Sequence, residues 1–310
     1  MDLSHMNAGV LVASLMVASV PILLAALGEL VVEKSGVLNL GVEGMMIVGA
    51  VTGFIAAYHS GSAVLGFVGG AAGGAALSMI FALLTQFLMA NQVATGLALT
   101  LFGQGLASLL GQSYVGQKPP LTGKLPFGPL ADLPFVGPVL FGHDWVVYFS
   151  VLAVAAISWF LTRSRGGLVL RAVGENHDAA HSLGYKVRLV RVAAIGFGGA
   201  MAGLGGAYLS LVRVPQWTEG MTAGAGWIAL AIVVFASWRP WRVLMGAWLF
   251  GGISVLQLNM QAAGSAIPVQ YLSMSPYLIT ILVLVIMSSG RSRASLGAPA
   301  SLGQNFHAAR

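Results

Sequence analysis

The chain contains no cysteine. Disulfides, thiolate-ligated zinc, iron–sulfur clusters and thiol nucleophiles are thereby excluded. Charge is scarce as well, with Asp, Glu, Lys and Arg making up 8% of the 310 residues. Soluble domains carry about 25%, so this chain cannot clothe a water-facing surface of ordinary polarity. No Gly-x-x-x-x-Gly-Lys-Ser/Thr phosphate loop is present, which excludes ATP hydrolysis by that route. No nucleophile–base pair or metal cluster is visible, so the chain is not read as an enzyme. His177 and His181 are four residues apart, but the intervening Glu and third ligand of a zinc protease are missing, and no metal site is expected. No Lys or Arg precedes the first apolar run, 8–27, and that run is too long for a secretory signal core.

What is abundant is apolar sequence. Hydrophobic residues make up 57%, the mean hydropathy is +0.86, and 42 glycines suit helices packed closely in lipid. A helix crosses a bilayer with roughly 20 apolar residues. Spans are predicted at 8–27, 37–57, 62–89, 93–110, 145–162, 192–211, 223–238, 243–258 and 272–289. The fold class is therefore an all-α integral membrane protein, a polytopic bundle of about nine transmembrane helices. The net charge of +6 does not point to nucleic acid, because the basic residues cluster between spans. Residues 163–191 hold Arg163, Arg165, Arg171, Lys186, Arg188 and Arg191, which places that loop in the cytoplasm. Alternation then puts Lys34, Arg239, Arg242, Arg291 and Arg293 inside and the N-terminus outside. The Pro-rich loop 111–144, with Lys118 and Lys124 balanced by Asp132 and Asp144, falls outside. Residues 291–310, rich in Ser, Ala and Gly, are expected to form a disordered cytoplasmic tail.

Three segments interrupt the apolar pattern. In the first, 28–45, Glu29, Glu33, Lys34, Asn39 and Glu43 stand among four glycines. Charges at membrane depth face a cavity or a partner. A broken helix start is expected, with Asn39 and Glu43 beside a solute path, while Glu29 to Lys34 also fit a solvated hairpin. In the second, Glu219-Gly220-Met221 repeats Glu43-Gly44-Met45, and each triplet opens a short apolar stretch. Such paired interruptions are the mark of inverted repeats and broken helices around a solute site. Trp217 joins Glu219 there. In the third, Asn176 is a good N-cap and Gly184 a good C′ residue, framing a short helix with Asp178 in its first turn and Ala179, Ala180 and Leu183 on an apolar face. A helix of that kind docks into a partner's groove or simply fills a loop. Asn91 and Gln92 open another span, and Gln104 lies within it, facing a pore or a neighbouring helix. Trp145, Trp217, Trp238 and Trp241 lie near span ends, where interfacial anchoring is the default.

These segments together resemble the permease family of type II ABC importers, which carry simple sugars, branched-chain amino acids and nucleosides. Glu33 to Met46 is similar to the hallmark of the nucleoside and simple-sugar branch, with Lys34 where Arg is usual. Asn91-Gln92-Val93 with Gly96 to Leu99 resembles the next block. Arg171-Ala172-Val173-Gly174-Glu175-Asn176 with Ala179, Ala180 and Gly184 resembles the ATPase-coupling segment, with His177 where Pro is usual and Tyr185 where an aliphatic residue is usual. Gly220 to Gly224, Arg239-Pro240 and Gly246-Ala247 resemble the last block. The resemblance implies a permease domain over 1–290 that forms the translocation pathway for nucleosides by ATP-driven alternating access. It implies ABC ATPase subunits that bind the ATP and Mg, a second homologous permease, an extracytoplasmic solute-binding protein, and a bacterial cytoplasmic membrane. The chain itself would hold no cofactor. Arg171, Gly174, Glu175, Asn176, Asp178, Ala179, Ala180 and Gly184 would couple to the ATPase. Asn39, Glu43, Asn91, Gln92, Gln104, Trp217 and Glu219 would line the pathway. Rival readings are a simple-sugar or amino-acid permease and, in another class, an ion-coupled secondary transporter using Glu43 and Glu219.

Overall fold

The computed structural model describes residues 8–264, 267–289 and 297–307. Eleven α-helices run in chain order: α1 (Ala8–Lys34), α2 (Val42–Ser60), α3 (Ala63–Ala82), α4 (Gln92–Gly111), α5 (Trp145–Arg163), α6 (Arg165–Glu175), α7 (His177–Ser182), α8 (Val187–Tyr208), α9 (Ala225–Phe235), α10 (Pro240–Ala262) and α11 (Val269–Ser289). Among the described residues the one extended pairing is an isolated bridge between Val115 and Trp217. Short π turns extend α3 to Phe87 and α8 to Arg213.

Seven helices among the described residues are long and apolar enough to cross a membrane. The molecule is thus a polytopic helical membrane protein, with a count below the nine spans expected. One reason lies at 223–238. Positive φ at Ala223 and Gly224 delays the helix, and positive φ at Ser237 and Trp238 ends it. What remains is α9, 11 residues long. That is about 16 Å of helix, half of a hydrocarbon core of about 30 Å. The other expected span, 272–289, lies within α11.

A second correction concerns α1. The hairpin considered for Glu29 to Lys34 is absent, and the helix continues through Lys34. Glu29 and Glu33, four residues apart and so on one face, are buried and partnered. Glu29 accepts from the Asn39 amide, and Glu33 accepts from the Trp238 indole N–H. The chain breaks instead at 35–41 and climbs back along α4, where Thr100 Oγ1 donates to Leu40 O at 3.1 Å. Thr100 lies about 12 Å along α4 from its start, so α2 begins partway along α4.

The centre of the bundle is built from glycine. A Cβ placed on Gly49 of α2 would stand 2.2 Å from Gly203 Cα of α8, and one on Gly203 would stand 2.1 Å from Gly70 O of α3. Backbones this close gain dispersion along their whole length, the usual means of helix association in lipid. α1 fills the other flank of α8 and is buried over most of Ala18 to Glu33.

Basic residues from three separate segments meet at one end of the bundle, while Lys124 and Arg213 line a cavity with Val10 at the other end of α1. Lys34 lies in the electrostatic field of Arg171 and Arg239, and Gly174 packs on the Lys34 carbonyl. Arg291 and Arg293 lie outside the described residues. Residues 297–307 correct the expectation of a disordered tail. Pro299, Ser301 and Phe306 are buried against the end of the bundle that holds Lys34 and Gly174, because backbone groups and a ring find partners there that the composition does not reveal.

Candidate functional site

Glu43 joins the starts of α2 and α9. Its carboxylate accepts from Thr222 Oγ1 at 2.6 Å, Gly224 N at 2.8 Å and Gly226 N at 2.7 Å. The last two are free amides at the start of α9, where unpaired N–H groups and the helix dipole favour an anion. Glu43 is 2% exposed. It is a staple between two broken elements, with no face left for a solute. Glu219 fares differently. It sits in turns ahead of α9, is exposed, and accepts from Ser108 Oγ of α4 at 2.6 Å. The two Glu-Gly-Met triplets are therefore not equivalent in place: one opens α2, the other precedes α9.

The remaining pathway candidates divide the same way. Asn39 is buried, its Oδ1 accepting from Gly41 N at 2.9 Å and its Nδ2 donating to Met45 Sδ, which holds the turn into α2. Gln92 is buried and accepts from Leu38 N at 2.8 Å. Trp217 is 1% exposed, with its indole laid on Gly111 so closely that any Cβ there would collide. Asn91 caps α4 by accepting from Ala94 N at 3.0 Å, and it is exposed, as is Gln104. Gln104, Ser108 and Glu219 thus form a polar strip beside Leu97 and Leu101, which are 45% and 70% exposed. An apolar helix face with a polar strip lies open on this side of the bundle.

The segment around α7 folds as its caps dictate. Asn176 Oδ1 accepts from Ala179 N at 2.9 Å, and Gly184, at φ +88°, closes α7 with N–H donation to His181 O at 2.8 Å. α7 buries His177 and Ala180 and turns Asp178, Ala179, Leu183 and Tyr185 outward. Leu183 is 78% exposed, a large apolar side chain on an open surface. Gly174 admits no side chain beneath Lys34 O. Glu175 is exposed and lies near Ala300 N, and Arg171 is half-buried. Burial, and then the Arg191 guanidinium, push the His177 pKa down from its ordinary value. His177 and His181 do converge, on the ring of Phe306.

Sequence reasoning undervalued several residues. Trp238, read as an interfacial anchor, is buried and bonded to Glu33. Arg191, read as one of six loop charges, is fully buried and donates to Ser35 O, Gln304 O and His177 Nδ1. Asp144 caps α5 and accepts from the Tyr208 hydroxyl. The i,i+4 spacing of Glu29 and Glu33 was the one legible signal among these.

Comparison with known proteins accounts for this architecture. Residues 11–287 match the family described as branched-chain amino acid transport system / permease component. The chain belongs to that family and is the membrane-spanning permease subunit of an ABC importer. The putative glucose ABC transporter permease protein TsgC13 of Haloferax volcanii is 42% identical over 97% of this chain and 98% of its own length. The guanosine ABC transporter permease protein NupQ of Bacillus subtilis is 32% identical over 89% and 91%. The nucleoside ABC transporter permease protein NupC of Lactococcus lactis subsp. cremoris is 30% identical over 89% and 92%. As a permease of this class the chain is a multi-pass protein of the cytoplasmic membrane. It is not itself an enzyme, and it works with a separate ATPase and a solute-binding protein.

Proposed function

We propose that this permease imports a solute built on a hydroxylated sugar ring, a nucleoside in the first reading. The observation that carries it is the pairing of full-length similarity to nucleoside permeases with an open helix face bearing amide, hydroxyl and carboxylate groups at Gln104, Ser108 and Glu219. Such groups exchange hydrogen bonds with ring hydroxyls as water leaves. A second reading, a simple sugar, is favoured by the 42% identity to a putative glucose permease.

In this reading a second homologous permease covers the open face of α4, and the pathway runs between the two. Asn91, Gln104 and Glu219 line it. Asn39, Glu43, Gln92 and Trp217 set its shape from behind. The ATPase subunits bind ATP and Mg and grip α7 by Ala179, Leu183 and Tyr185, framed by the caps at Asn176 and Gly184. Arg171, Gly174, Glu175, Asp178 and Ala180 hold that helix in place. Closure of the ATPases then rocks the bundle between outward and inward access.

The test is uptake by the reconstituted complex, with labelled guanosine competed by unlabelled nucleosides and by glucose. Nucleosides are expected to compete. Competition by glucose alone selects the second reading. Transport by this chain without any ATPase, driven by an ion gradient, overturns both.

A further inference from the structure

Residues 297–307 do more than lie on the cytoplasmic surface. They tie five separate elements together. Ser301 N donates to Gly174 O of α6 at 2.9 Å, and Gly303 N donates to Gly36 O in the turn before α2 at 3.1 Å. Arg191 Nη1 of α8 donates to Gln304 O at 2.9 Å. Asn305 spans the turn before α4, donating to Met89 O at 2.9 Å and accepting from Gln92 Nε2 at 3.1 Å. Phe306, 4% exposed, stands edge-on to the rings of His177 and His181 with centroids 5.5 and 5.2 Å away.

The consequence for α7 is mechanical. A six-residue helix has no stability of its own and is held by what packs on it. The small core beneath α7 consists of Val173, Ala180, Val187 and Phe306, and Phe306 is its largest side chain. Next to it in sequence, Asn305 grips Gln92, whose other end holds Leu38 N in the turn that opens α2. One continuous set of contacts therefore runs from α7 through Phe306, Asn305 and Gln92 to the starts of α2 and α4. The start of α2 carries Glu43, and the polar strip of Gln104 and Ser108 lies further along α4.

We propose that residues 297–307 form a clasp that transmits displacement of α7 to the α1–α2 turn and the start of α4. The clasp makes Phe306 and Asn305 positioning residues for transport. This inference rests on the reading of α7 as the ATPase-docking helix.

The test uses the complete transporter in proteoliposomes, with the permease carrying Phe306→Ala, Asn305→Ala or Phe306→Tyr. ATP hydrolysis, solute uptake and co-purification of the ATPase are measured on the same preparations. For the two alanine variants, hydrolysis is expected to stay within about twofold of wild type while solute imported per ATP falls about tenfold. Phe306→Tyr keeps the ring and restores coupling. Unchanged uptake per ATP in both alanine variants overturns the clasp. Loss of ATPase co-purification in both also overturns it, since the segment would then serve assembly alone. The docking reading fails separately, if the ATPase still co-purifies with Leu183→Ala and Tyr185→Ala variants, so the two failures are distinguishable.

Discussion

The tripeptide Glu-Gly-Met occurs twice, and its two glutamates live in opposite surroundings. Glu43 is buried and meets three donors at the start of a half-length helix. Glu219 is exposed on a turn and meets one hydroxyl. The first carboxylate replaces the water that α9 would otherwise need inside a membrane, where unsatisfied amides cost several kcal/mol each. The second leaves acceptor capacity open on a surface. The same three residues thus serve architecture in one half of the chain and, in our proposal, solute contact in the other.

This contrast is breakable. Glu43→Ala strands three donors, two of them buried, and with about 1–3 kcal/mol per unsatisfied group the expected loss is about 3 kcal/mol or more. Size-exclusion chromatography and thermal unfolding in detergent should show aggregated or strongly destabilised protein. If Glu43→Ala behaves like wild type, the staple is unnecessary. Glu43→Gln keeps the shape but turns one acceptor into a donor facing an N–H, so a smaller loss of about 2 kcal/mol is expected. Thr222→Val removes one hydroxyl donor and leaves both amide contacts, for about 1 kcal/mol by the same measurement.

The histidines of α7 repeat the contrast of buried against exposed. His177, facing Arg191, Asp178, His307 and the Phe306 ring, has its pKa lowered from the ordinary 6.5, and His181 is exposed. The folded protein therefore binds this proton less readily than the unfolded chain. Stability from the neutral ring is complete above about pH 6.5 and declines as pH falls through that value. Unfolding midpoints should drop between about pH 8 and pH 5.5, and His177→Asn should flatten the part of that drop due to this ring. At the small end, Glu219→Gln should move stability by no more than about 0.5 kcal/mol. Uptake should nonetheless fall while ATP hydrolysis persists, and full uptake by Glu219→Gln would remove that residue from the pathway.

Much of this was legible in advance because it depends on local rules. Span-length apolar runs, basic loops on one side, the Asn176 cap and the Gly184 terminus each follow from a few adjacent residues. What escaped depends on distant partners. Glu29 and Glu33 look like charges that must leave the membrane until Asn39 and Trp238 are seen to meet them. Glu43 looks available until α9 is found at its carboxylate. The tail looks disordered because Gln304, Asn305 and Phe306 carry no period, and their partners lie more than 100 residues away.

The glycine contacts among α2, α3 and α8 bear on how such a protein is made robust. Replacing helical glycine by alanine is a standard route to heat tolerance, worth about 0.8–1 kcal/mol per site in exposed helices. At Gly49 or Gly203 an added methyl would sit within 2.2 Å of another helix's backbone, so the same exchange would pry the bundle apart. At Gly105 of α4 no atom lies within 4 Å of the added methyl. An engineer would leave the centre of this bundle bare.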